Sequence, residues 1–178
     1  MKLRKFVLLF AVIMLLFGSA PVSASAVQQN GVMQNQTKYQ VAYFKVKITQ
    51  DQPASSSSIG TYGPWCRSVT VERQSWSNAD WHLWSYFMRV RWCFNNTNVT
   101  SVDPPVRWAE IYTKFWFFDG HIGFTQSGGA GQRRYQAWSQ GKFSLCLGGV
   151  KGVGCVEQHV PWVQLTVYGN GNWERRSG

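Results

Sequence analysis

The strongest constraint on this chain lies at residues 83–95, Leu-Trp-Ser-Tyr-Phe-Met-Arg-Val-Arg-Trp-Cys-Phe-Asn. Trp84, Tyr86, Met88, Val90, Trp92 and Phe94 occupy the even positions, while Ser85, Arg89, Arg91 and Cys93 fall on odd ones. Period two over such a length marks a β-strand with one face in a core. At about 12 residues it exceeds the usual 5 or 6, so it is read as a central strand that sets the length of its sheet. Buried, unpaired guanidinium groups are very costly. The face bearing Arg89 and Arg91 is therefore assigned to the outside of that sheet.

Residues 66–72, Cys-Arg-Ser-Val-Thr-Val-Glu, alternate as well, and the polar loop 75–80 separates them from the central strand. An antiparallel hairpin can be drawn in which Cys66 faces Cys93, Ser68 faces Arg91 and Thr70 faces Arg89. Val69 then meets Val90 and Val71 meets Met88 on the other face. One register puts apolar with apolar, polar with polar and cysteine with cysteine, and a slip by one residue breaks all three.

The rest of the chain reads as short strands between turns. Phe44, Val46 and Ile48 alternate with Lys45 and Lys47, as in an edge strand whose lysines discourage further pairing. Residues 99–102 form a short strand, and Asp103-Pro104-Pro105 a break. Residues 108–118 are aromatic on both faces, and Trp84, Trp92, Trp108 and Trp116 are assigned to the core. Asp119-Gly120 before 121–125 is a strong hairpin signal. Residues 126–132 form a glycine-rich loop, Gln140-Gly141 a turn, 142–147 a strand and 148–154 a loop; Val163, Leu165 and Val167 make the last clear strand. No ten-residue segment has helical periodicity. The expected fold is all-β, an antiparallel β-sandwich, with a closed β-barrel as the alternative. Trp76, Trp84 and Trp92 recur every eight residues, which strand alternation explains without a duplicated unit.

At the N-terminus, Lys2, Arg4 and Lys5 precede an apolar run, residues 6–17, and then Ala24-Ser25-Ala26. This is the layout of a secretory signal peptide over 1–26, cleaved after Ala26; the run is shorter than the roughly 17 to 25 residues a membrane span needs. No later segment is apolar enough to span. Residues 27–37, rich in Gln and Asn, are expected to be a disordered leader, and 38–178 a single β domain with a Ser/Pro/Gly-rich linker at 50–64. In an exported chain the four cysteines imply disulfides. The hairpin register pairs Cys66 with Cys93 and leaves Cys146 with Cys155 across the next loop. A zinc site lacks the Cys-x-x-Cys spacing it needs.

The Trp92-Cys93 strand end, Gly141-Lys142-Phe143 leading to Cys146, Gly154-Cys155, Pro161-Trp162 and Gly169-Asn170-Gly171 resemble a group of uncharacterised small secreted bacterial proteins. The resemblance spans roughly residues 65–173. It implies an exported, disulfide-containing β domain and no particular activity.

For function, the chain offers chemistry without a catalytic signature. Gly-x-Ser-x-Gly, His-Glu-x-x-His and phosphate-loop motifs are absent from the sequence. A glycosidase needs two carboxylates across a cleft, but each of the eight Asp and Glu residues has a plainer structural reading. No catalytic residue, metal, cofactor or nucleotide is expected, and export argues against nucleic acid. The formal charge of +10, still strongly positive without the leader, suits an acidic partner. Ten tryptophans exceed what one small core readily accommodates. Trp76 and Trp81, with Asn78, Asp80 and His82, form the candidate ligand-binding loop, since rings cover the apolar faces of sugars while polar groups take hydroxyls. The reading is a secreted, non-catalytic binder of an envelope polysaccharide or anionic polymer. Its alternative is a secreted effector, an inhibitor or membrane-active toxin, and behind both stands a glycan-acting hydrolase.

Overall fold

Strand β2 (Trp65–Trp76) and strand β3 (His82–Phe94) pair antiparallel with Cys66 opposite Cys93, Val69 opposite Val90 and Val71 opposite Met88. This is the register that the two alternating segments require. Val69, Val71, Trp84, Tyr86, Met88, Val90 and Trp92 are buried, and Arg89 and Arg91 point to solvent on the opposite face. The computed structural model describes residues 37–51 and 65–178. The expected signal peptide at 1–26, the expected 27–37 leader apart from Thr37, and residues 52–64 of the expected linker lie outside the described residues. Gln50 and Asp51 belong to a strand rather than to the linker.

After a single 3-10 turn, Thr37–Tyr39, the remaining strands are β1 (Tyr43–Asp51), β4 (Val99–Val102), β5 (Val106–Ile111), β6 (Trp116–Gly128), β7 (Arg134–Cys146), β8 (Cys155–His159), β9 (Trp162–Tyr168) and β10 (Trp173–Ser177). They form two five-stranded antiparallel sheets. The first runs β1-β2-β3-β4 with β5 also on β3, and the second β10-β9-β7-β6 with β8 also on β7. Both sheets are open, so the chain is a β-sandwich and not a closed barrel. Strand β1, with Lys45 and Lys47, is an edge.

The two sheets share a plan. Each long strand, β3 or β7, is paired along one side by another long strand and along the other by two short ones. The short pairs are interrupted at Pro104-Pro105 and at Pro161, where a missing backbone donor ends the ladder. Disulfides Cys66–Cys93 and Cys146–Cys155 tie β2 to β3 and β7 to β8, both as the sequence pairs them. Two disulfides point to an oxidising, extracellular-type environment.

Between the sheets, the Trp84 indole stacks on Phe143 at 4.0 Å and meets Trp116 at 6.0 Å. Leu145, Val163, Leu165 and Val167 close the core from the second sheet. The Trp92 N–H donates to the Tyr168 carbonyl at 3.2 Å, and the Trp116 N–H to the Tyr39 carbonyl at 2.8 Å. Each bond joins elements distant in sequence.

Several local expectations are corrected. Asp119-Gly120 is no hairpin tip: β6 runs through it, with register shifts between Phe118 and Gly120 and between His121 and Gly123. Gly120, at φ 129°, uses its freedom for a bulge instead of a turn. Ser144 donates to the Asp119 carboxylate from the neighbouring strand. Gln140-Gly141 is likewise inside a strand, β7. An added Cβ at Gly141 would stand 2.6 Å from the Tyr86 ring, so this glycine serves close packing. The aromatic segment 108–118 divides between β5 and β6. Trp108 leaves the core for the outer face of the first sheet, where it stacks on Phe87 at 4.5 Å and 3°.

Candidate functional site

At the tip of the β2–β3 hairpin, residues 77–81 turn back on themselves. The Ser77 hydroxyl accepts from the backbone N–H groups of Ala79 and Trp81, and Asp80 sits at φ 55°. This geometry sends the two tryptophans different ways. Trp76 lies on the outer face of the first sheet in a row of rings. Its indole stacks on His82 at 4.7 Å and 6°, His82 stacks on Tyr112 at 4.0 Å and 26°, and Tyr43 continues the row at 6.4 Å and 6°. Lys45 caps the Trp76 ring at 4.2 Å. Trp81 instead meets Tyr39 edge-on at 5.7 Å beneath the Lys38 ammonium at 3.8 Å. Asp80 accepts from the Tyr43 hydroxyl, and Asn78 is exposed at the tip. Of the five loop residues, the structure thus joins Trp76 with His82 and holds Trp81 apart from them. Rings stacked upon one another offer their edges outward, and Tyr112, at one end of the row, is 47% exposed.

Beside this row lies a Ser-His-Glu group. Ser85 Oγ donates to Glu72 at 2.8 Å and meets His82 Nε2 at 2.8 Å, so the histidine is the donor to the hydroxyl. A hydrolytic triad places the histidine between serine and carboxylate, where it can take the serine proton. Here serine occupies the middle, and Ser85 is 0% exposed. Such a hydroxyl reaches no substrate. The carboxylates that could act in pairs are also held: Glu110 by Tyr112 and Trp108, Asp103 by Arg91, Glu157 by His159, Asp119 by Ser144. Among the described residues no three His, Cys, Asp or Glu side chains cluster as a metal site requires.

The outer face of the second sheet is built differently, and the sequence reading did not find it. Pairing of β6, β7, β9 and β10 arranges its side chains in rungs: Gly123, Gln140, Trp162 and Gly178; then Thr125, Trp138, Gln164 and Arg176; then Ser127, Gln136, Thr166 and Glu174; then Arg134 with Tyr168. Not one Val, Leu or Ile interrupts this grid. Two indoles lie across it. A Cβ added at Gly123 would stand 2.7 Å from Trp138 Cζ3, and one added at Gly178 would stand 2.5 Å from Trp162 Nε1. Each ring therefore fills the place of a missing side chain on the neighbouring segment, lying along the sheet and half-buried. Trp138 leans toward β6 and Trp162 toward β10, so the rings lie about three strand spacings apart, roughly 14 Å. The side chains of Gln140 and Gln164 stand between them.

Two polar depressions border this face. One, about 120 Å³, is lined by Arg134, Gln136, Gln164, Thr166, Tyr168, Glu174, Arg175 and Arg176. The other, about 650 Å³, lies around Gln50, Arg67, Tyr168, Asn170 and Trp173, with the Arg67 guanidinium held by the Gly171 carbonyl at 2.9 Å. Burial raises the Tyr168 hydroxyl above its ordinary pKa and the neighbouring Glu174 carboxylate adds to that, while Arg134 and Arg176 act in the opposite direction.

The signal that could have revealed the face is the alternation of Gln136, Trp138 and Gln140 with Tyr135, Ala137 and Ser139, together with a mid-strand Gly123. A glycine inside a strand marks close approach by another group. Comparison with known proteins is silent: no protein-family model matches the chain, and no curated protein or solved structure is significantly similar to it.

Proposed function

We propose that this protein is a secreted, non-catalytic binding protein of the cell envelope that holds a polysaccharide against the outer face of its second sheet. One observation carries this reading: Trp138 and Trp162 lie flat over Gly123 and Gly178 with Gln140 and Gln164 between them. Indole faces cover the apolar faces of sugar rings, and side-chain amides supply both donors and acceptors for hydroxyls. A flat face receives an extended chain at any point along its length, and it lacks the enclosure that cleavage chemistry needs. The signal-peptide pattern and the two disulfides support export. A stacked ring contributes on the order of 1 kcal/mol, so two rings bind weakly, and repetition along a polymer supplies avidity.

The test is retention on insoluble neutral polysaccharides and purified cell wall at 0.5 M salt, where screening leaves only a few ångströms of electrostatic reach. Trp138→Ala and Trp162→Ala should each weaken retention and the double variant should abolish it, with circular dichroism unchanged. Equal retention of parent and double variant defeats the proposal.

A membrane-acting effector is the second reading, and loop 147–154 favours it. Val150 and Val153 are each 57% exposed there, close to Lys151 and to the exposed Val156. Co-sedimentation with anionic vesicles, lost in Val150→Ser/Val153→Ser, would select this reading.

A further inference from the structure

We infer that the polysaccharide carries anionic groups, carboxylate or phosphate, and that the depression between Arg134 and Arg176 receives them. This rests on the binding face just described and names the ligand class for it. The depression adjoins the platform, because Gln136 and Gln164 line both. Arg176 shares a rung with Trp138 and Gln164, two strand spacings or about 10 Å from the Trp138 backbone and further from its indole, which leans toward β6. An extended chain lying on the indole therefore passes the guanidinium.

The charges in the depression are available. No ion pair joins Arg134, Arg175 or Arg176 to a carboxylate among the described residues. The local acid, Glu174, lines the depression beside Tyr168 on the same face as Arg134 and Arg176. Two guanidinium groups, those of Arg134 and Arg176, against the one carboxylate of Glu174 leave the depression positive, while Arg175, opposite the buried Leu165, directs its side chain to the other face. Gln136, Gln164 and Thr166 line its floor with further donors. A guanidinium offers paired N–H groups that match the two oxygens of a carboxylate or phosphate. The volume of about 120 Å³ holds several waters, enough for such a group with part of its hydration. The opposite sheet presents cations of another kind: Arg91 is paired with Asp103 and Lys45 lies over Trp76.

The experiment compares three polymers at low salt: a neutral polysaccharide, a polyuronic acid and a phosphate-linked polyol. The parent should favour one or both anionic polymers by about three- to tenfold, as two exposed charge contacts imply, and lose that preference at 0.5 M salt. Arg134→Gln/Arg176→Gln should bind all three like the neutral one. Arg89→Gln, which removes a charge from the opposite face, should leave the preference intact. The anionic polymer that gains most identifies the group as carboxylate or phosphate. No preference in the parent, or a preference that survives the double arginine variant, overturns the inference while the tryptophan platform stands. Loss of the platform is read separately, from unchanged neutral-polymer binding in Trp138→Ala/Trp162→Ala.

Discussion

Trp138 stands where a side chain at Gly123 would stand: an added Cβ would be 2.7 Å from Cζ3 and 2.9 Å from Cη2 of the indole. The φ of Gly123 is not among the positive ones, so the ring, and not the backbone, calls for glycine. Gly123→Ala should therefore cost about 1–3 kcal/mol by overpacking, and it should lift the ring and weaken polymer retention. In a Trp138→Ala background the same substitution should be nearly neutral. Denaturant melts of the four-member cycle measure the coupling; a penalty that persists without the indole would show that the contact is not its cause.

Trp84 and Trp92 are both buried in the core, but only Trp92 has a partner for its N–H. That bond goes to the Tyr168 carbonyl at 3.2 Å, whereas Trp84 Nε1 has none. Trp92→Phe loses packing and a hydrogen bond together. Trp84→Phe loses packing while removing an unsatisfied donor. The first should be the more destabilising by about 1 kcal/mol, as read from urea midpoints of the two variants with unchanged m-values.

The two disulfides differ in the chain they enclose, with sequence separations of 27 and 9. In the chain-entropy model the larger loop stabilises by about 3.5 kcal/mol and the smaller by somewhat less than 3. Cys66→Ser/Cys93→Ser should lower the melting temperature more than Cys146→Ser/Cys155→Ser. The reverse order would mean that unfolded-state chain entropy does not govern these crosslinks.

Burial lowers the pKa of His82, against the opposing pull of Glu72 and Glu110 and with a small contribution from Lys45; burial and Arg107 lower that of His121. The unfolded chain then binds these protons more readily than the folded one. Their contribution to stability is fully present above about pH 6.5, the ordinary histidine value, and is lost as pH falls through the lowered folded values. The melting temperature should drop over that window, and His82→Gln/His121→Gln should flatten the drop. An unchanged slope in the double variant would assign it to other groups.

The first hairpin was legible because its information is local. Alternation over residues 66–72 and 83–95 states which faces are wet, and only one register matches both faces and both cysteines. The edge lysines, the Pro104-Pro105 break and the sandwich class follow from the same kind of pattern. Asp119-Gly120 and Gln140-Gly141 were misread for a definite reason. Glycine answers to two needs, a positive φ and an absent Cβ, and the letter does not say which. Gly120 supplies a bulge at φ 129°, and Gly141 supplies room for the Tyr86 ring.

The site depends on contacts no local pattern contains. Trp76 and Trp81 share a loop, yet one joins a row of rings on the sheet and the other turns toward Lys38 and Tyr39, because the backbone at Asp80 separates them. Trp138 and Trp162 lie 24 residues apart on paired strands, and they lie flat because Gly123 on β6 and Gly178 just past β10 have no side chains. Alternation along one strand decides whether an indole points inward or outward. Whether an outward indole keeps a free face is decided by its cross-strand neighbours, and those are set only when the sheet assembles.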